Sequence, residues 1–221
     1  MPEPDSAAAE RSLIRSELAL LVGGLALALV SGLPVSRGDV PSWERAIFRA
    51  INDLPDVLYR PVWVVMQLGS FSAIAAVAVV ALVSRRFRLA IGLGIAGVSV
   101  YFLAQLMKQV VDRARPAELL TGVHLRGAVP TGNGYPSGHA AVAFALATIA
   151  WLWFGPRARW AFLAAAVVVC FGRMYVGAHL PLDVVGGAGL GVASGALVGL
   201  LLRVRHHGHA HRRMHTVGEK P

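Results

Sequence analysis

Residues 89–107 read LAIGLGIAGVSVYFLAQLM, nineteen positions without a charge, and Lys108 follows at once. As a helix rising 1.5 Å per residue this stretch spans about 28 Å, close to the roughly 30 Å hydrocarbon core of a bilayer. Apolar runs at 18–35, 62–84, 140–154, 160 to about 178 and 184–202 add five candidates of the same kind. The run at 140–154 is short unless 137–139 join it, and Arg173 sits near the end of the fifth. The reading is all-α, a polytopic bundle of six transmembrane helices. Composition agrees: among 221 residues 56% are hydrophobic and 15% charged, and mean hydropathy is +0.60, whereas a soluble domain carries roughly 25% charge. The single cysteine, Cys170, excludes an internal disulfide framework and Cys-rich metal sites.

The net charge of +9 raises the question of nucleic acid, but the cations are distributed by topology. Twelve Lys and Arg fall in the segments on the side of both termini, Arg85, Arg86, Arg88, Arg157 and Arg159 among them, and nine fall on the other side. Three of those nine, Lys108, Arg115 and Arg173, belong to a polar cluster described below, which leaves a bias of 12 to 6. That bias puts both termini in the cytoplasm of a multi-pass protein of the cell inner (plasma) membrane. Nucleic acid is not expected as a partner; the bilayer and a membrane lipid are, and oligomeric state is left open. Residues 1–17 hold more acids than bases and no small-residue cleavage site, so a removable signal peptide is not expected. The chain divides into a cytoplasmic segment 1–17, a membrane domain 18–202 and a basic, His-rich cytoplasmic tail 203–221.

Between the first two runs Trp43, Ile47, Ile51, Leu54 and Leu58 recur at helical spacing, opposite Glu44, Arg45, Arg49, Asp53 and Asp56. This predicts an external interfacial helix, with a hairpin packed on the bundle as the alternative. Trp43 and Trp63 on one side and Trp151, Trp153 and Trp160 on the other fit interfacial belts. In the last run Gly187, Gly191, Gly195 and Gly199 form a ridge that admits a closely packed helix. The tail histidines His206, His207, His209, His211 and His215 could bind metal, but a basic tail near anionic headgroups is the preferred reading.

Three polar clusters interrupt this apolar chain at ends that the six-span plan puts on the exterior. Lys108 and Arg115 are seven residues apart, which on a continuous helix leaves both cations on one face, and Pro116 ends the helix. Tyr135-Pro136-Ser137-Gly138-His139 opens the fourth run, where a capping serine and a glycine leave backbone N–H groups free to hold an anion. Arg173 precedes His179 and Asp183, whose i, i+4 spacing lets the carboxylate accept a hydrogen bond from the imidazole. Singly, these are snorkelling cations, a helix cap and an interface anchor. Jointly, three cations, an anion-receptive helix start, two histidines and one carboxylate on one face are what phosphoryl transfer needs.

Lys108, six residues, Arg115-Pro116; then Pro136-Ser137-Gly138-His139; then Arg173, five residues, His179, three residues, Asp183: this ordered signature resembles that of the type 2 phosphatidic acid phosphatase superfamily. That superfamily includes lipid phosphate phosphatases, prenyl diphosphate phosphatases and soluble vanadium haloperoxidases. The resemblance implies a two-step mechanism with no metal and no cofactor. In it His179 is the nucleophile, Asp183 holds the other ring nitrogen, and His139 is the general acid and later the base. Lys108, Arg115, Ser137, Gly138 and Arg173 bind the phosphate. One position departs from the pattern: Gly172 stands where the family usually has serine, which removes a hydroxyl donor. Asp112, Arg113, Glu118, His124 and Arg126 lie nearby as loop residues without an assigned role.

The expected activity is hydrolysis of a lipid phosphate or diphosphate at the outer leaflet. Undecaprenyl (polyprenyl) diphosphate is preferred, because nineteen of the 21 basic residues being Arg suggests a GC-rich bacterial genome. Phosphatidic acid and phosphatidylglycerol phosphate are the alternatives. An anion or lipid transporter would explain the cations but not two histidines and an aspartate at nucleophile spacing. A vanadate-dependent haloperoxidase fits poorly with a chain so largely apolar.

Overall fold

The structure, a computed structural model, describes residues 4–35 and 39–202. Among the described residues there are nine α-helices and no strands: α1 (Pro4–Val35), α2 (Ser42–Asn52), α3 (Tyr59–Met66), α4 (Phe71–Val83), α5 (Phe87–Val110), α6 (Pro116–Leu119), α7 (Gly138–Trp153), α8 (Pro156–Tyr175) and α9 (Pro181–Leu202). The all-helical expectation is met. Glu10–Val35, α5, α8 and α9 are each long and apolar enough to cross a bilayer. Helix α1 starts well before residue 18, because the Ala, Glu, Arg and Leu residues ahead of the apolar run are strong helix formers. Residues 203–221, and with them the expectations for the histidine tail, lie outside the described residues.

The run at 62–84 is not one rod. Asp56–Gly69 and Phe71–Val83 meet at an angle of 68°, and together they make a fifth candidate span. Ser70 is extended and its hydroxyl caps α4, accepting from the Ala73 amide at 3.2 Å. Gly69 explains the position of the break: a β-carbon there would stand 2.5 Å from the His139 carbonyl oxygen, so only glycine lets the chain pass the start of α7 this closely. Helix α7 has 16 residues, about 24 Å of length.

Helix α9 runs through the centre, packed on α1, α5 and α7. The glycine ridge read from the sequence faces α7: β-carbons at Gly187, Gly191 and Gly195 would collide with the carbonyl oxygens of Ser137, Ala141 and Ala145, and one at Gly199 with Leu152. On another side Gly24 of α1 and Gly189 of α9 bring two backbones together in the same way. Outward faces of α1, α4, α5 and α8 carry exposed Leu, Val and Phe, the surface a hydrocarbon solvent accepts.

Helix α2 corrects the assignment of its faces. It ends at Asn52, so Leu54 and Leu58 lie beyond it, and Pro55 precedes the next turn. Its buried side holds Phe48, Asn52 and Glu44, while Trp43 and Ile47 are exposed. Glu44 was expected on the polar face; it is fully buried because it has a cationic partner inside the protein, described below. Asn52 joins distant segments, donating to the carbonyls of His124 and Tyr175 and accepting from the His124 amide.

Candidate active site

The C-terminal ends of α5 and α8 and the N-terminal ends of α7 and α9 meet at one end of the bundle, and with them the three polar clusters. Lys108 lies in the last turn of α5 and Arg173 in the last turn of α8. Gly138 and His139 open α7, whose N-cap is Ser137, as its sequence predicts. His179 stands in the turn before α9, and Asp183 in the first turn of that helix. Lys108, Arg115, Gly138, His139, Arg173 and His179 line one cavity of about 230 Å³, together with Gly69, Phe71, Tyr101, Gln105 and Pro130. Asp183 and Ser137 are fully buried behind that wall.

Lys108 and Arg115 do not share a helix face, contrary to the spacing argument. Helix α5 stops at Val110, and Arg115 occupies an extended position before Pro116, which starts α6 rather than ending α5. The irregular backbone lets Arg115 turn inward. Its guanidinium donates to the carbonyl oxygens of Gly132 at 2.8 Å, Thr131 at 2.9 Å and Ala178 at 2.8 Å, and its Nη1 lies 3.1 Å from Nε2 of His179. Arg115 therefore ties the 131–132 loop to the turn carrying His179.

The His179 ring is buried, with Nδ1 3.5 Å from Oδ2 of Asp183 and no hydrogen-bond partner in place. Burial, and after it the charges of Arg173, Arg115 and Lys108, push the His179 pKa well below the ordinary histidine value. The ring is thus neutral at neutral pH, the form in which a nitrogen lone pair is available. Arg173 has Nη1 3.6 Å from the Met66 sulfur, and its buried Nε has no hydrogen-bond partner. Among the described residues none of Lys108, Arg115 and Arg173 pairs with a carboxylate. Three cations around one cavity, none of them in an ion pair, suit it to a multiply charged anion.

Two residues of this region carry no assignment from sequence. Arg113 donates at 2.7 Å to Oδ1 of Asp183 and, through its other terminal nitrogen, at 2.7 Å to Oε2 of Glu44. Burial opposes its charge, but Asp183 and Glu44 outweigh that and hold its pKa above the ordinary arginine value. The position of Arg113 inside the first motif was a signal for it; nothing in the sequence marks Glu44. Ser137 serves as backbone anchor as well as cap: its amide donates to the Asp183 carbonyl at 2.9 Å. Arg126 is structural, bridging the carbonyls of Asn52, Leu54 and Tyr175 to the Asp56 carboxylate.

Gly172 faces away from the cavity wall. A β-carbon built on it would meet Val62 at 3.0 Å and Met66 at 3.5 Å, both on α3. A serine side chain here would start out against α3, between Val62 and Met66. Further along α4, α5, α7 and α8 lies a second, apolar cavity of about 320 Å³, with Ala76, Leu93, Ala143, Ala147, Phe154 and Ala165 among its lining residues. Helix α7 is a wall of both, His139 facing one and Ala143, a turn later, the other.

The same chain segments recur in known proteins. An undecaprenyl-diphosphatase of Sulfolobus acidocaldarius is 34% identical over 113 residues, 48% of this chain and 52% of that protein. A lipid A 1-phosphatase of Rhizobium johnstonii is 37% identical over 93 residues, 40% of this chain and 38% of that protein. The chain thus spans about half the length of the first relative and less of the second. In fold it is similar to the crystal structure of a transmembrane PAP2-type phosphatidylglycerolphosphate phosphatase of Bacillus subtilis, with a TM-score of 0.61, 18% identity, and coverage of 81% of this chain and 95% of that one. The family model described as the PAP2 superfamily matches residues 85–206, which hold all three polar clusters and more than half of the sequence, and the chain belongs to that superfamily.

Proposed function

We propose that this protein is an integral-membrane phosphatase that hydrolyses a lipid phosphate or diphosphate at the outer leaflet through a phosphohistidine on His179. The observation that carries the reading is one cavity lined by Lys108, Arg115 and Arg173, with Nε2 of His179 3.1 Å from Arg115. An imidazole nitrogen beside a cluster of cations outside any ion pair is placed as a nucleophile toward a bound phosphate. Gly138, at the N-terminus of α7, adds backbone N–H groups and the positive end of the helix dipole.

In the first step Nε2 of His179 bonds to phosphorus, the bond to the bridging oxygen breaks, and His139 gives its proton to that oxygen. The ring of His179 then carries positive charge, which Asp183 offsets from the Nδ1 side. In the second step neutral His139 takes a proton from water, the water oxygen bonds to phosphorus, and the phosphorus–nitrogen bond breaks to free phosphate and His179. The cations hold the nonbridging oxygens through both steps. His139 therefore enters the first step protonated, the form that the negative charge of the bound phosphate favours, and it is regenerated by the proton taken from water.

Undecaprenyl diphosphate is the favoured substrate, supported by the diphosphatase relative. A lipid monophosphate is the second reading, favoured by the lipid A 1-phosphatase relative and the phosphatidylglycerolphosphate phosphatase neighbour. An apolar cavity that runs along the bundle from Leu68 to Arg86, toward the end away from the site, supports a substrate with a hydrocarbon chain. The reading includes six crossings over 18–202, with the bent α3–α4 pair as the second and α7 as the fourth. Both flanking segments are then cytoplasmic and the cavity external, an arrangement supported by Arg85, Arg86, Arg88, Arg157 and Arg159 at the end away from the site.

The test is phosphate release from undecaprenyl diphosphate, phosphatidic acid and phosphatidylglycerol phosphate in detergent with chelator present, for the full chain and for His179→Ala. The expected result is release by the wild type, fastest from the diphosphate, and none by a folded variant. Normal turnover in the variant would overturn the nucleophile, and a strong preference for a glycerolipid would overturn the substrate.

A further inference from the structure

The Asp183 carboxylate is held on two sides by groups other than the histidine it faces. Oδ1 accepts from Arg113 at 2.7 Å and Oδ2 from the Leu180 amide at 2.8 Å, while Nδ1 of His179 stands 3.5 Å from Oδ2. Arg113 is in turn fixed by Glu44, whose Oε2 accepts from it at 2.7 Å and whose Oε1 accepts from the Leu182 amide at 2.9 Å. Glu44 and Asp183 are fully buried and Arg113 is 4% exposed, so no solvent competes for these contacts. A guanidinium fork with a carboxylate on each terminal nitrogen has little freedom to rotate. The two amides belong to the turn that follows His179. These four groups therefore set the rotamer of the Asp183 carboxylate and the path of the backbone that bears the imidazole.

Arg113 does not line the cavity that collects Lys108, Arg115 and Arg173, and its charge is matched by Glu44 and Asp183. It is not a further phosphate ligand. We propose that Arg113 and Glu44 are positioning residues: Glu44 of α2 locks Arg113, and Arg113 holds the Asp183 carboxylate turned so that His179 keeps its proton on Nδ1 and its lone pair on Nε2. This rests on His179 being the nucleophile, and it assigns α2 a part in the site. An ion-pair chain that merely fastened α2 to the bundle would also be buried, but it would leave the histidine tautomer and the kcat-to-KM balance of the folded protein untouched.

The experiment uses the full chain in detergent with Arg113→Met, Arg113→Lys, Glu44→Gln, Asp183→Asn and the double variant Arg113→Met/Asp183→Asn. Nitrogen-15 spectra of the histidine side chains, with the His179 signals assigned by their loss in His179→Gln, give a readout that does not depend on turnover. The wild type is expected to show one His179 tautomer with the proton on Nδ1, and Arg113→Met a shifted or mixed population. In phosphate release Arg113→Met is expected to lower kcat at least tenfold with KM within twofold, Arg113→Lys to recover part of that loss, and Glu44→Gln to lose three- to tenfold. In the Asp183→Asn background Arg113→Met should cost no further activity, since it acts through the missing carboxylate. If Arg113→Met does not fold, Arg113→Lys and Glu44→Gln carry the same two readouts. Unchanged His179 signals in folded variants overturn the proposal, as does a full, additive loss in the Asp183→Asn background. A wild type that releases no phosphate from any lipid overturns the phosphatase reading alone, and the spectra still decide the positioning role.

Discussion

Nη1 of Arg115 lies 3.1 Å from Nε2 of His179 and 2.8 Å from the carbonyl oxygen of Ala178, the residue immediately before it. One side chain thus sets both the electrostatics around Nε2 of His179 and the backbone that presents the ring. Nε and one hydrogen of Nη2 go to Gly132 and Thr131, which fixes the side chain and leaves one Nη2 hydrogen for an anion.

A lysine at this position keeps the charge but offers no planar fork, so the carbonyls of Thr131, Gly132 and Ala178 cannot all be satisfied. Arg115→Lys is expected to lower kcat/KM on the order of 10²-fold, the scale of removing one preorganised oxyanion donor. Initial rates of phosphate release measure it, and a loss under threefold would show that charge alone suffices there.

Acid sensitivity follows from the neutral state of His179. Its folded pKa lies well below the ordinary histidine value, through burial first and then through Arg173, Arg115 and Lys108. Below about pH 6.5 the unfolded chain binds a proton at this residue that the folded protein refuses. Stability therefore falls as pH drops from about 6.5 toward the folded pKa, by up to about 1.4 kcal/mol per pH unit from this group. His179→Asn removes that contribution. Thermal unfolding at about pH 7.5 and about pH 5 should show a smaller acid-induced drop in Tm for the variant than for the wild type. An equal drop would mean that His179 is protonated in the folded protein.

The spacings within the three clusters were legible because each lies on or beside a short stretch of chain: Lys108 to Arg115, Ser137 to His139, Arg173 to Asp183. Their convergence at one end followed from counting apolar runs, since odd and even crossings alternate sides. The means of convergence was not legible. Arg115 reaches inward from irregular backbone, and a seven-residue interval cannot reveal that the helix stops at Val110. Glu44 was assigned to the polar face of α2 because a carboxylate is costly to bury alone, and its partner Arg113 is 69 residues away. The break at Gly69 and Ser70 was hidden for a related reason: apolar composition records burial in hydrocarbon but not the passage of another helix.

The direction of the missing side chain at Gly172 makes a prediction about this motif departure. Its missing side chain would enter the α3 contact at 3.0 Å from Val62, tighter than ordinary packing. Gly172→Ser is expected to leave kcat/KM within about twofold, since the hydroxyl gains no route to phosphate. Overpacking should cost about 1–3 kcal/mol of stability. Activity and thermal unfolding measured together check this, and a variant with several-fold higher affinity for inorganic phosphate would show that the hydroxyl does reach the site.

The apolar cavity makes a prediction about which part of the substrate is recognised. Ala76 on α4 and Ala165 on α8 line it from helices that also border the cationic cavity's end of the bundle, and neither is fully buried, so each can be enlarged without displacing the core. If the lipid's chain occupies this space, Ala76→Phe or Ala165→Phe expels part of it. The expelled segment loses its packing in the cavity and meets bilayer or detergent tails rather than water, so the loss is smaller than a transfer to water, about several-fold in kcat/KM. A phosphate ester whose chain is too short to leave the cationic cavity has nothing to lose there, and its kcat/KM should stay within about twofold. The ratio of the two rates cancels differences in active fraction between preparations. A substitution that slows long and short substrates alike would mean the cavity holds bilayer lipid rather than the reacting molecule, and the chain would then have to leave the site by another face of the bundle.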